Sequence, residues 1–221
     1  MTLDKKRKMK KVSRKIFLDI GSHIGETLEE VIKPQHNCDL VFGFEPITEC
    51  CDVINKNFIN DKLIVNNFGL YKEDCEKIVY YNKSKFYGGN LDIGGSIYED
   101  KIDRKPNPND RDDKLCSFKD VGKWFKDNIT KDDYVMVKIN VEGAECDIIE
   151  RLIESEEYDK IDRLLIDFDC RKIPSQKHRQ QEVENLLTSL NKKNYITYFP
   201  RGSSHGERIG NFIKGKFCNF G

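Results

Sequence analysis

From residue 15 onward, short apolar runs that close on acidic or turn residues alternate with amphipathic stretches, and this alternation limits the fold more than any other feature. The runs at 15–20 (KIFLDI), 40–45 (LVFGFE), 63–68 (LIVNNF), 134–141 (YVMVKINV) and 161–168 (IDRLLIDF) have the length and branched or aromatic content of buried strands. Between them, helical patterns fill 24–33, 47–58, 118–128, 144–155 and 176–190; Pro34 ends the first. In the last, Val183, Leu186, Leu187 and Leu190 fall on one helical face. Strands that alternate with helices require crossover connections and hence a mostly parallel sheet with helices on both faces.

The remaining segments are placed by exclusion. Residues 77–81 read as a short strand at an edge, and 82–114 lose periodicity in a run of Gly, Asn, Asp, Lys and Pro. A loop of that length inside a compact domain is usually either functional or disordered. Residues 195–199 and 209–217 read as two closing strands joined by PRGSSHGER, which predicts an antiparallel C-terminal edge.

The 221 residues suffice for one α/β domain, placed at 15–221, after a basic leader at 1–14. Thirteen Phe and nine Tyr supply bulky core groups and argue against a disordered chain. Residues 1–15 hold eight Lys or Arg against Asp4, so the zero net charge of the whole leaves an acidic body. The arm is expected to be a disordered, solvated leader. Nucleic acid is not an expected partner except through the arm at 5–15, because an acidic body repels phosphates. No apolar run reaches the roughly 20 residues of a membrane span. The eight cysteines show no paired zinc-site spacing, and reduced thiols in a cytoplasmic compartment are the economical expectation. His36 and His178 are expected at the surface.

The first strand ends in DIGSHIGE, which places Asp19, Gly21, Ser22, His23 and Gly25 in one strand–helix loop. Glycines there let backbone approach a ligand. Glu45 ends the second strand, where a carboxylate can accept both hydroxyls of a ribose. The spacing is Gly-x-x-x-Gly rather than the dinucleotide fingerprint, and Asp19 and Glu26 would repel a pyrophosphate. S-adenosylmethionine has no phosphate and carries a sulfonium and an ammonium, which favour carboxylates.

FLDIGSHIGET, VFGFEP and VKINVEGAE, in this order, resemble the FkbM-type family of S-adenosylmethionine-dependent methyltransferases over roughly residues 15–170. The resemblance implies a Rossmann-like class I methyltransferase fold and methyl transfer to a hydroxyl, often on a sugar or glycan. It places Asp19, Gly21, Ser22, His23 and Gly25 in the cofactor loop and Glu45 on the ribose, with Pro46 and Ile47 at the adenine. Phe68 and Gly69 then sit where the third strand's loop approaches the base. The chain departs from the family pattern in KINVEG, where Asn140 stands in place of Asp, and in DFD, where Asp169 stands near a usual Glu.

A hydroxyl is a weak nucleophile, so a base near the acceptor is useful. Strand alternation puts Lys138, Asn140 and Glu142 on one side, and Asp167 and Asp169 share a side of the neighbouring strand. Asp169, Asp167, Asn140, Lys138 and His205 are therefore the catalytic candidates. Asn90, Asp92 and Ser96, in YGGNLDIGGSIYED, and Glu142 are the substrate-binding candidates. Two plainer roles stand beside these: Glu142 and Glu145 as caps of the next helix, and Lys138 as a structural ion-pair partner. The oxygen donors are too few for a dedicated divalent site, so no metal is expected.

Three other functions remain open. RNA 2′-O-methylation would use the basic arm, though the Lys-Asp-Lys-Glu set of many such enzymes is not apparent. A non-catalytic S-adenosylmethionine-binding module would explain Asn140. An NAD-linked oxidoreductase is disfavoured by the acidic loop.

Overall fold

The computed structural model describes residues 13–83, 94–103, 105–197 and 204–216. Strand β1 (Lys15–Ile20) lies at the centre of a six-stranded sheet with β2 (Leu40–Phe44) and β3 (Leu63–Asn66) on one side. On its other side come β7 (Tyr134–Ile139), β8 (Arg163–Ile166) and β9 (Tyr195–Thr197). Every neighbouring pair in this sheet is parallel. The order β3-β2-β1-β7-β8-β9 is that of a doubly wound Rossmann-like sheet, with its switch point between β1 and β7.

Alternation along each strand sends successive side chains to opposite layers. Ile16, Leu18 and Ile20 pack with Val135 and Val137 under α3 (Val121–Asn128), α4 (Glu145–Glu154) and α5 (Arg179–Ser189). Phe17, Met136 and Leu165 face the other way, under α1 (Glu26–Val31), α2 (Thr48–Asn57) and α6 (His205–Ile213). Helices cover both faces, as the alternating pattern requires.

A second, three-stranded sheet has the order β4-β6-β5, formed by β4 (Gly69–Tyr71), β5 (Cys75–Asn82) and β6 (Arg111–Asp120). Strand β6 runs parallel to β4 and antiparallel to β5. Residues 111–120 were expected as loop and then helix. They extend instead because Cys116, Phe118 and Asp120 alternate inward with exposed Leu115, Ser117 and Lys119. The helix begins only at Val121, where the Asp120 side chain accepts the Lys123 N–H at 3.1 Å.

The C-terminal edge departs from expectation. Strand β9 joins β8 in parallel, since α5 carries the chain back across the sheet before it. Residues 209–213, expected as a strand, lie in α6. Ile209, Phe212 and Ile213 recur at helical spacing and bury against the layer of Phe17, and Ser204 caps the helix by accepting the Glu207 N–H at 3.2 Å. His36 is also not at the surface: it is buried, with Nε2 2.7 Å from Glu30 Oε1.

Arg14, assigned to the leader, is tied down by a bidentate pair with Asp133. The described cysteines are all free thiols. Among the described residues no helix is long and apolar enough to cross a membrane.

Candidate functional site

A cavity of about 380 Å³ opens beyond the carboxyl ends of β1, β2 and β7, at the switch point, with the small sheet as its opposite wall. That volume is in the range of small-molecule sites.

Its floor is the loop from β1 to α1. Gly21 and Ser22 donate their N–H groups to the Phe44 carbonyl, both at 3.0 Å, which ties the loop to the end of β2. Gly21 has φ +85°, and a Cβ there would stand 1.9 Å from the Asn140 carbonyl oxygen, so only glycine fits. The Ser22 hydroxyl donates to Asp19 O at 2.9 Å and accepts the Phe44 N–H at 3.1 Å.

Glu45 stands at the rim of β2. Its Oε2 accepts the His23 N–H and its Oε1 the Ile47 N–H, each at 2.9 Å. Burial outweighs these two donors and pushes its carboxyl up to about 7. Near neutrality it can both accept and donate hydrogen bonds, which suits vicinal hydroxyls. Pro46, Ile47, Gly69, Leu70, Val79 and Phe118 make the adjoining wall apolar.

Lys138 and Asn140 line the opposite side. Lys138 Nζ lies 2.9 Å from Asp19 Oδ1 and donates to Gly21 O at 2.7 Å, while Asp19 itself is fully buried beneath the lining. Burial raises the Asp19 carboxyl, and Lys138 opposes the shift. The Asn140 side-chain oxygen is buried with no hydrogen-bond partner among the described residues.

Glu26, Thr27, His205 and Arg208 close a third side. His205 Nε2 is 2.9 Å from Thr27 Oγ1, and burial together with Lys138 and Arg208 lowers it to about 4, so the ring is neutral at pH 7. Burial opposes ionisation of Glu26, yet His23, 2.9 Å away, holds its carboxyl below the ordinary value. Glu142 enters from the end of β7, beside Gly94, Gly95 and Ile97.

The structure thus brings Gly21, Ser22, His23, Glu45, Pro46, Ile47, Gly69, Lys138, Asn140, Glu142 and His205 to one cavity. Asp19, Gly25, Phe68, Ser96, Asp167 and Asp169 lie outside its lining. Asn90 and Asp92 fall outside the described residues. Asp167 and Asp169 turn toward cations instead: Arg171 Nη1 is 3.1 Å from Asp167, and Arg171 Nη2 and Lys172 Nζ are 2.9 and 2.8 Å from Asp169. Glu145, expected as a helix cap, instead braces the turn before α4: its Oε1 accepts the Val141 and Gly143 N–H groups, while Ala144 stands at the helix start without a side-chain cap. Among the described residues no cluster of three or more His, Cys, Asp or Glu could hold a metal ion.

Sequence reasoning missed Phe118, Val79, Leu70, Thr27 and Arg208. The first two lie on strands whose hydrophobicity does not mark the buried face: Ile78 is exposed beside buried Val79, and Leu115 is exposed near buried Phe118. Arg208 was signalled by Ser-His-Gly-Glu at 204–207, a capping box that announces α6.

Among solved structures, the chain is similar to the methyltransferase FkbM from Methylobacillus flagellatus KT, at 14% identity and a TM-score of 0.45. The similarity covers 81% of this chain and 37% of that one, so the chain spans well under half of that protein's length. No protein-family model and no curated protein matches the chain.

Proposed function

We propose that the chain is an S-adenosylmethionine-dependent O-methyltransferase acting on a hydroxyl of a sugar or glycan. The observation that carries this is the position of Glu45, a buried carboxylate at the end of β2, in one wall of a cavity floored by the glycine loop of β1. A dinucleotide fits less well, since Glu26, which also lines the cavity, would face its pyrophosphate.

The residues present fit the methyl donor. Gly21 lets the loop pack directly on the Asn140 backbone carbonyl, and the Asn140 side-chain oxygen is a buried acceptor without a donor among the described residues. Glu45 would take the ribose hydroxyls; Ile47, Leu70, Val79 and Phe118 the adenine; and the loop with Asn140 the amino-acid end. When bound, the group supplies an electrophilic methyl on a sulfonium. The chain's own part is to align the acceptor oxygen and to receive its proton. Thr27, Glu142, His205 and Arg208 give the remaining wall the donors and acceptors that a polyol needs.

Calorimetric titration with S-adenosylhomocysteine, with NAD as comparator, tests the assignment. Micromolar binding that is lost in Glu45→Ala is expected, followed by a one-methyl mass gain on a sugar or glycan panel. Tighter binding of NAD would overturn it.

A further inference from the structure

We propose that Glu142 is the catalytic base that takes the acceptor's proton, and that Lys101 is the residue that positions it; the proposal rests on the methyl-transfer reading above. Three acids end β7 and β8, and of Glu142, Asp167 and Asp169 only Glu142 lines the cavity.

The backbone is built to hold it there. Glu142 has φ +57°, a left-handed conformation that non-glycine residues seldom adopt and that concentrates at functional sites. Ser96 Oγ donates to its carbonyl at 2.7 Å. The next residue, Gly143, has φ +127° and packs so closely that a Cβ would lie 2.0 Å from Ile173 Cδ1. The turn therefore has little room to adopt another shape, and it delivers one carboxylate to the cavity.

The charges around that carboxylate suit proton uptake. Lys101 Nζ, 3% exposed, donates to Glu142 Oε2 at 2.7 Å and to Gly94 O at 2.8 Å. Lys172 stands 3.8 Å from the same oxygen, Asp169 faces it from the end of β8, and Asp103 lies 3.2 Å from Lys101. Burial and the Asp169 charge raise the Glu142 carboxyl above its ordinary value, and Lys101 opposes them. Asp169 is the poorer base, because each of its oxygens already meets a cation within 2.9 Å.

In the step, the acceptor oxygen gains the methyl group. The carbon–sulfur bond breaks with its electron pair left on sulfur as a thioether, and the hydroxyl proton passes to Glu142 and then to water.

The test needs no known acceptor. S-adenosylhomocysteine is compared with sinefungin, the analogue whose ammonium occupies the place of the transferred methyl. In the wild type sinefungin binds more tightly, and this preference falls as pH is lowered and Glu142 takes a proton. Glu142→Gln is expected to lose about tenfold of the preference and all of its pH dependence, as the loss of one charge-assisted hydrogen bond implies. Its S-adenosylhomocysteine affinity and circular dichroism stay near wild type, and Glu142→Asp restores part of the preference. Lys101→Met moves the pH midpoint of the preference upward, a change that a purely structural lysine would not cause. An unchanged probe ratio in Glu142→Gln overturns the role of Glu142 and leaves the cofactor reading standing. Binding of neither probe by the wild type overturns both.

Discussion

Asp19 and Lys138 sit side by side on neighbouring parallel strands, both buried, and Lys138 passes the interaction on to the carbonyl of Gly21. The acid of the loop motif thus acts on the cavity through a lysine. Removing one member of such a pair leaves an uncompensated buried charge and costs about 3–5 kcal/mol. Asp19→Asn is expected to lose stability of that order in urea unfolding, and Asp19→Asn with Lys138→Met to recover part of it.

Gly21→Ala tests the floor of the cavity. The added carbon would stand 1.9 Å from the Asn140 backbone carbonyl oxygen at a backbone angle that alanine resists. We expect more than about tenfold weaker S-adenosylhomocysteine binding by calorimetry, equivalent to about 1.4 kcal/mol, with a lower Tm. Wild-type affinity in this variant would show that the loop does not approach the ligand.

Glu145 sets a pH dependence. Burial raises its carboxyl from 4.5 to about 8, against the N–H donors of Gly143 and its own backbone. A carboxyl raised in the folded state contributes stability that is fully present below its unfolded value and is lost as pH rises through the folded one. Urea unfolding of the wild type should therefore show a decline between about pH 4.5 and 8. Glu145→Gln, which cannot ionise, should decline less over the same window.

Helix α6 should be worth more to the fold than its position near the end of the chain implies. Phe212 packs edge-on against Phe17 of β1, with ring centres 6.2 Å apart. Phe212→Ala is expected to cost about 3–5 kcal/mol in urea unfolding. Ser204→Ala, which removes only the cap, should cost about 1 kcal/mol.

Five strands of the parallel sheet were legible because each is an apolar run set off by a helical pattern, and Glu45 could be placed because it ends such a run; β9, three residues long, reads instead as part of an antiparallel edge. The small sheet was harder to see. Strand β6 carries exposed Leu115 and buried Asp120, so its hydrophobicity does not mark its buried face, and β4 is only three residues long. Helix α6 was misread because Ile209, Phe212 and Phe217 in a glycine-rich stretch look like strand content, whereas the capping Ser204 decides the outcome. The orientation of the acids was not legible. Asp167 and Asp169, catalytic candidates in the sequence, meet Arg171 and Lys172, which follow them directly, whereas Glu142, a substrate-binding candidate, reaches the cavity beside Lys101.

The walls of the cavity have separate structural origins. The glycine loop and Glu45 are fastened to the parallel sheet by backbone hydrogen bonds, whereas Gly94, Gly95 and Ile97 belong to a segment that pairs its backbone with Tyr80 of the small sheet, through Ser96, and is further held by the Ser96, Lys101 and Tyr98 side chains. Substitutions in that segment can reshape one side of the chamber while the ladder beneath the loop keeps its register. A lineage of such proteins can therefore vary one wall of the chamber in shape and polarity while the other keeps its form.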